Sequence, residues 1–460
     1  MYRSQIRHNS SLQKLAIKAN AAVRGGQKAA DPHRSDRAEA VRLLLRIEHH
    51  GAFRALVSQE ASPWTVAMVS TITRWRRYLQ FLLSEYCRLP ARDLEPALRQ
   101  ILLLGIGELV ILHTAPHAAV YENVSLVRSM VRSQATGLAN GILRSVARSL
   151  EALPEPDTGD LMRDLAVRWS HPTWLVRRYI ARFGLSDARH LLQYNNAAPP
   201  HYVRVARQSR EEIIALLDEA GVAYTPSRYL KDYLRVEQLG PIIRAGWAQD
   251  GTCAVHDESA GLVVDLLDPQ PGETVLDACA APGGKAFGIA ARMCGEGRLM
   301  AWDVHEGRLG RLRAAAEAQS IQVISAEVHN LIDAPEVDAD RVLLDVPCTG
   351  TGVLAKRADL RWRRTPRDLA EILSVQDGLL NAAARRVRVG GTLVYSTCSI
   401  EPEENEERIA AFLKRDPGFK LVPAFGRLPE DLVTAAGHMA TLPHVHGMDG
   451  AFAARLQRIR

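Results

Sequence analysis

Between Asp36 and about Leu150 the apolar residues recur every three or four positions. Val41, Leu44, Leu45 and Ile47 form one stripe; Leu98, Ile101, Leu102, Leu104 and Leu109 form a second. Val120, Val124 and Val127, then Leu138, Ile142, Leu143 and Val146, continue the pattern. This spacing predicts helices with one face turned to a shared core, so residues 36–152 read as an all-helical domain. Leu153, Pro154, Glu155, Pro156 and Asp157 read as a linker. Residues 160–252 are mixed: Tyr202–Val205 has strand character, and Glu211–Ala220 has helical spacing. From about Ala254 short apolar runs alternate with helical stretches. Val275–Leu276, Leu299–Trp302, Val342–Leu344 and Leu393–Tyr395 are the runs. Continuous apolar strands separated by helices predict a mostly parallel sheet covered on both faces. The expected division is therefore a flexible basic tail (1–35), a helical domain (36–152), a small α/β middle region (160–252) and a larger α/β domain (253–460).

A chain of 460 residues agrees with two or three domains. Its 47% hydrophobic and 24% charged residues are ordinary for a globular protein. No apolar run approaches the roughly 20 residues that span a bilayer, and no secretory leader is legible. Six cysteines in this length suit a reducing compartment, so a cytoplasmic location is expected. Charge changes the picture. Residues 1–150 carry 21 Lys and Arg against 10 Asp and Glu, whereas the remainder carries 37 against 42. A basic amino-terminal third points to a polyanionic partner, with a solvated basic surface as the alternative. The tail has Arg3, Arg7, Lys14, Lys18, Arg24 and Lys28 without an acidic residue before Asp31. An organellar transit peptide is its minority reading. The run from Trp169 to Phe183 interleaves Trp174, Tyr179 and Arg177, Arg178, Arg182, which fits either nucleic-acid contact or an amphipathic helix burying its aromatics.

Candidate chemistry lies in the last domain. Asp277, Ala278, Cys279, Ala280, Ala281, Pro282, Gly283, Gly284 and Lys285 span a strand–turn–helix junction, and Asp303 ends the next strand nineteen residues beyond Gly284. Glycines let a ligand approach the backbone, and a carboxylate at that distance suits ribose hydroxyls. G-x-G-x-x-G and G-x-x-x-x-G-K-[ST] are both missing, which favours a nucleoside-type cofactor over a dinucleotide or triphosphate. Cys279 reads as a small buried residue. Cys348 and Cys398 each sit just past an apolar strand, fifty positions apart, and Asp345 ends the first of these strands. Two buried structural cysteines are the alternative for that pair.

The stretches VLDACAAPGGK, LLDVPCTGTGV and GGTLVYSTCSIEPEENE resemble the RNA cytosine-5 methyltransferases of the NOL1/NOP2/Sun family. LRQILLLGIGELVILHTAPHAAVYENV and GLANGILRSVAR look like the NusB-type RNA-binding domain found in one branch of it. The likeness runs from about Asp36 to Arg460. It implies a class I Rossmann-like domain binding S-adenosylmethionine through the turn Cys279, Ala280, Ala281, Pro282, Gly283, Gly284 and Lys285, with Asp303 at the ribose and Asp345 also at the cofactor site. Where the family carries Asp near the adenine, this chain has Glu327. Cys398 matches the family's nucleophile, Asp345 the acid at N3 of cytosine, and Cys348 the residue assisting release. Lys285 would orient Asp345 or meet a phosphate, and Glu404 and Asn405 would fix the loop behind Cys398. Arg361, Trp362, Arg363 and Arg364 are candidates for gripping RNA, with a solvated arginine run as the alternative. The resemblance implies 16S rRNA, before complete small-subunit assembly, as partner. The same reading expects a monomer that uses no metal, membrane or DNA. Alternatives are another rRNA or tRNA cytosine site, or a non-catalytic RNA-binding factor; an NAD(P) oxidoreductase is disfavoured by the missing glycine motif.

Overall fold

The computed structural model describes residues 34–50 and 61–460. The expected basic tail falls almost entirely outside them. The described chain forms two compact units, one reaching to Ala198 and including Leu354–Arg363, the other comprising Pro199–Val353 and Arg364–Arg460.

The first unit is helical: α1 (Arg34–His50), α2 (Pro63–Tyr86), α3 (Pro96–Val110), α4 (Pro116–Met130), α5 (Thr136–Arg148), α6 (Leu161–Arg168) and α7 (Thr173–Asn196). Ser62 starts α2 by accepting from Thr65 N, with Pro63 in the first turn, where its missing N–H costs nothing. Helix α3 is buried on nearly every side, which explains why its sequence is apolar around the whole circumference. Its buried charge, Glu108, accepts from Arg37 Nη2 of α1 at 2.6 Å and from Asn123 Nδ2 of α4 at 2.5 Å. The aromatic–basic run lies in α7 and buries Leu175, Val176 and Tyr179, so the amphipathic-helix reading holds for these positions.

The segment 361–364 corrects an expectation. Arg361 is fully buried and donates to Asn196 Oδ1 at 2.7 Å, Asn195 O at 3.0 Å and Ser170 O at 3.1 Å. Burial, assisted by nearby Arg74, pushes its pKa down to about 9. Trp362 Nε1 donates to Thr73 O at 2.7 Å, and Arg363 lies 3.5 Å from Asp359. Arg364, in the other unit, donates to the carbonyls of Cys348 and Thr349, both at 3.2 Å. Arg361, Trp362 and Arg364 thus hold protein carbonyls, whereas Arg363 is exposed and faces a carboxylate. The physical reason is that α7 ends at Asn196 with carbonyls that have no intrahelical donor, and a guanidinium supplies donors in a fork.

The second unit begins with an antiparallel sheet of order β2-β3-β1-β4, built from β1 (His201–Val205), β2 (Tyr224–Pro226), β3 (Tyr233–Val236) and β4 (Cys253–Val255). Helix α8 (Arg210–Glu219) follows β1 and starts with a Ser209–Glu212 capping box. The larger sheet has order β10-β12-β9-β8-β5-β6-β7, with β11 beside β12. Its strands are β5 (Thr274–Asp277), β6 (Arg298–Asp303), β7 (Ile324–Val328), β8 (Ala339–Asp345), β9 (Val387–Thr397), β10 (Phe419–Leu421), β11 (Met439–Thr441) and β12 (Ala451–Arg458). Strands β5 to β9 pair in parallel, and β12 closes antiparallel on β9. Helices α9 (Glu258–Leu267), α10 (Gly284–Arg292) and α11 (Glu306–Ala318) cover one face, and α12 (Pro366–Arg385) and α13 (Glu406–Arg415) the other. Val275, Leu299 and Leu343 point to the first layer and Leu276, Met300 and Leu344 to the second, so the middle of each of these strands is apolar on both faces. The chain runs from β5 to β6 on one side and later returns to β8 on the other. That reversal opens a crevice at the carboxyl ends of the strands.

Arg361→Ala is expected to destabilise the helical unit by about 3 kcal/mol, the size seen when a buried hydrogen-bond network is broken. A lowered thermal midpoint with unchanged RNA affinity below the transition checks this. Weakened RNA binding at an unchanged midpoint would restore the RNA-gripping role.

Candidate active site

Four strands deliver acids and thiols to one rim. Asp277, Asp303 and Asp345 end β5, β6 and β8, and Cys398 follows β9. In the turn after β5, Gly283 has φ 113°, a conformation that disfavours side chains. A Cβ on Gly284 would stand 2.9 Å from the His256 ring, so that approach also requires glycine. Asp303 braces the turn: Oδ2 accepts from Ala281 N at 3.2 Å and Oδ1 from His305 N at 2.9 Å. Cys279 beside it is a thiol held protonated by burial and by Asp277, as a small packing residue would be. Glu327 lies on β7, next to the strand that ends in Asp303. It accepts from Ser325 Oγ at 2.8 Å and lies 3.2 Å from His329 Nε2, and these partners hold its pKa down.

Across the crevice, Lys285 Nζ donates to Asp345 Oδ2 at 2.7 Å and Ser396 Oγ donates to Asp345 Oδ1 at 2.7 Å. Burial alone would lower the Lys285 pKa, but the charge and hydrogen bond of Asp345 outweigh it and the ammonium persists. The Sγ atoms of Cys348 and Cys398 are 3.2 Å apart, and both residues are half-buried. The hydrogen bond with Cys398, followed by burial, pushes the Cys348 thiol well up. Cys348 therefore keeps its proton. Gly352 packs at the floor: its N–H donates to Cys398 O at 3.0 Å, and a Cβ there would stand 2.1 Å from Gly450 O. Asn405 accepts from Thr397 Oγ1 at 2.7 Å and donates to Ser399 O at 2.9 Å, so it does fix the loop behind Cys398.

Sequence reasoning missed Ser396, the Arg364 clamp on the Cys348 carbonyl, and the state of Asp277. Ser396 was legible only as a residue two before a cysteine. Asp277 is 1% exposed, and no side chain donates a hydrogen bond to its carboxylate. Burial, with the nearby Asp345 charge, raises its pKa to about 7. Among the described residues no group of three or more His, Cys, Asp or Glu is placed to hold a metal, and no helix is long and apolar enough to cross a membrane.

Residues 264–457 match the family model of 16S rRNA methyltransferase RsmB/F, residues 14–148 the NusB family, and residues 171–243 the RsmF/B-like ferredoxin-like domain. The chain is 34% identical to a probable ribosomal RNA small subunit methyltransferase B of Synechocystis, over 88% of this chain and 94% of that one. It is 30% identical to the probable enzyme of the same name in Bacillus subtilis, over 91% and 98%. The chain belongs to the RsmB methyltransferase family. The solved structure of PH0851 is similar with TM-score 0.78 and 28% identity, covering 94% of this chain and 100% of that one. A methyltransferase homologue from Pyrococcus horikoshii gives TM-score 0.57 and 27% identity over 66% and 100%. The family and the observed layers agree on a NusB-like helical domain, a ferredoxin-like middle domain and a mostly parallel methyltransferase sheet.

Asp277 has a folded-state pKa above its ordinary 3.8. The native state therefore holds more protons than the unfolded chain between about pH 4 and pH 7, and stability is lost as pH rises through that window. Asp277→Asn is expected to flatten this loss, raising the thermal midpoint at pH 8 and leaving it near wild type at pH 4. Parallel pH profiles of the two proteins would refute the assignment.

Proposed function

We propose that this chain methylates C5 of a cytosine in 16S rRNA with S-adenosylmethionine, through a covalent adduct on Cys398. The observation that carries the reading is the pair of thiols at 3.2 Å beside the Lys285–Asp345 pair. Two structural cysteines would not need a half-buried acid–ammonium couple next to them.

The residues present suit the cofactor. Gly283 and Gly284 leave backbone open at the head of α10, and Asp303 is aimed at that turn. When bound there, S-adenosylmethionine supplies an electrophilic methyl group. Cytosine C5 is a weak nucleophile until a thiolate adds to C6. The S–H···S contact favours loss of one proton from the pair and opposes loss of both, so Cys398 attacks while Cys348 keeps its hydrogen. Electron density pushed into the ring is met at N3 by the proton shared between Lys285 and Asp345, leaving C5 as an enamine carbon able to take the methyl. Release reverses the addition. The C5 hydrogen leaves to a base ordered by the Cys348 loop, the C6–S bond breaks, N3 returns its proton, and the Cys348 S–H stabilises the departing Cys398 sulfur. The base must leave its stack to reach this rim, which favours RNA not yet enclosed in a complete subunit. The basic amino-terminal third and the NusB match support the helical unit as the RNA-binding part.

Cys398→Ala is expected to abolish both methylation and adduct. Cys348→Ala is expected to accumulate a protein–RNA adduct that survives denaturation. Normal turnover by Cys398→Ala sinks the nucleophile assignment. Bisulfite sequencing of RNA from a deletion strain is expected to lose one modified cytosine in 16S rRNA; loss in tRNA instead would move the substrate.

A further inference from the structure

Among the described residues, Glu404 is a buried charge with several hydrogen bonds and no chemical role assigned above; it is 0% exposed. Its Oε1 accepts from Thr349 N at 2.8 Å and from Gln376 Nε2 at 3.0 Å. Its Oε2 accepts short hydrogen bonds from the hydroxyls of Thr349 and Ser399. Thr349 immediately follows Cys348, and Ser399 immediately follows Cys398. One carboxylate oxygen thus joins the residues after both thiols. Gln376 extends the clasp by donating to Pro347 O at 3.0 Å, on the other side of Cys348.

The chemistry of the clasp requires a carboxylate. All four groups that reach it are donors, and only an ionised acid offers two oxygens that accept without donating. An amide of the same shape offers one accepting oxygen where the carboxylate offers two, so the hydroxyls of Thr349 and Ser399 or the pair on Oε1 would have to turn. A residue serving only to fill the core would not be charged, since burying a carboxylate costs several kcal/mol before its bonds are made.

We propose that Glu404 is a positioning residue that sets the approach of the two thiols and thereby the release step. This rests on the covalent reading above. Attack draws on the thiol contact but is set chiefly by Cys398 with Asp345, and Asp345 is held independently by Lys285 and Ser396. Release also needs Cys348, whose loop is tied to the Cys398 loop by Glu404. Breaking the clasp slows release more than attack, and the adduct builds up. A residue that merely supported the fold would reduce attack and release together.

The test uses the full-length protein, a 16S rRNA transcript and S-adenosylmethionine, below the thermal transition of every variant. Glu404→Gln is expected to lower turnover by about tenfold or more, as a misplacement of an ångström does. It is also expected to accumulate the denaturation-stable adduct seen with Cys348→Ala. Thr349→Val, which deletes one donor at constant shape, is expected to move both readouts in the same direction by less. Turnover of Glu404→Gln within twofold of wild type overturns the proposal. So does loss of turnover with no adduct while Cys348→Ala forms one. If Cys348→Ala itself forms no adduct, the release role of Cys348 has failed, and the role of Glu404 in release falls with it; normal turnover by Cys398→Ala fails the covalent reading separately.

Discussion

The parallel pairing of β8 with β9 is the constraint from which the site follows. Its register sets Asp345 opposite Ser396. That alignment hands Ser396 Oγ to the Asp345 carboxylate and brings the chain beyond each strand into one corner, where Cys348 and Cys398 meet. A slip of one residue would turn every side chain of a strand to the other face. The two apolar layers prevent it, because Val342 and Leu393 belong to one core arrangement and Leu343 and Val394 to the other.

Charge is buried around this corner in an ordered way. Asp277, Asp303 and Asp345 approach the turn from adjacent strands, and Lys285 is the cation among them. The acids differ because their partners differ. Asp345 has an ammonium and a hydroxyl, Asp303 has two backbone amides, and Asp277 has no side-chain donor. Burial can therefore protonate Asp277 near neutral pH. In the helical unit the same rule gives Arg361 its role: a buried cation is tolerated where helix-end carbonyls need donors.

Much of this was legible along the chain. Periodicity separates the helical part from the strand–helix alternation, and the glycine turn, Asp303, Asp345, Cys348 and Cys398 stand out by their places at strand ends. The arginine run at 361–364 misled because composition does not say which way a short helical turn faces. Asp277 was visible as a strand end, but its protonation depends on which neighbours lack hydrogen bonds to give. Glu404 was readable as a loop brace; that it joins both cysteine loops was not.

The sequence by itself determined the local elements and the residue types at the strand ends, because hydrophobic period and glycine conformation act over a few residues. Only the tertiary structure decided the 3.2 Å thiol contact, the Lys285–Asp345 pair and the Glu404 clasp. These join residues 50 to 60 positions apart. Their geometry comes from strand register and from the competition of buried donors for a few acceptors, which no short stretch of sequence contains.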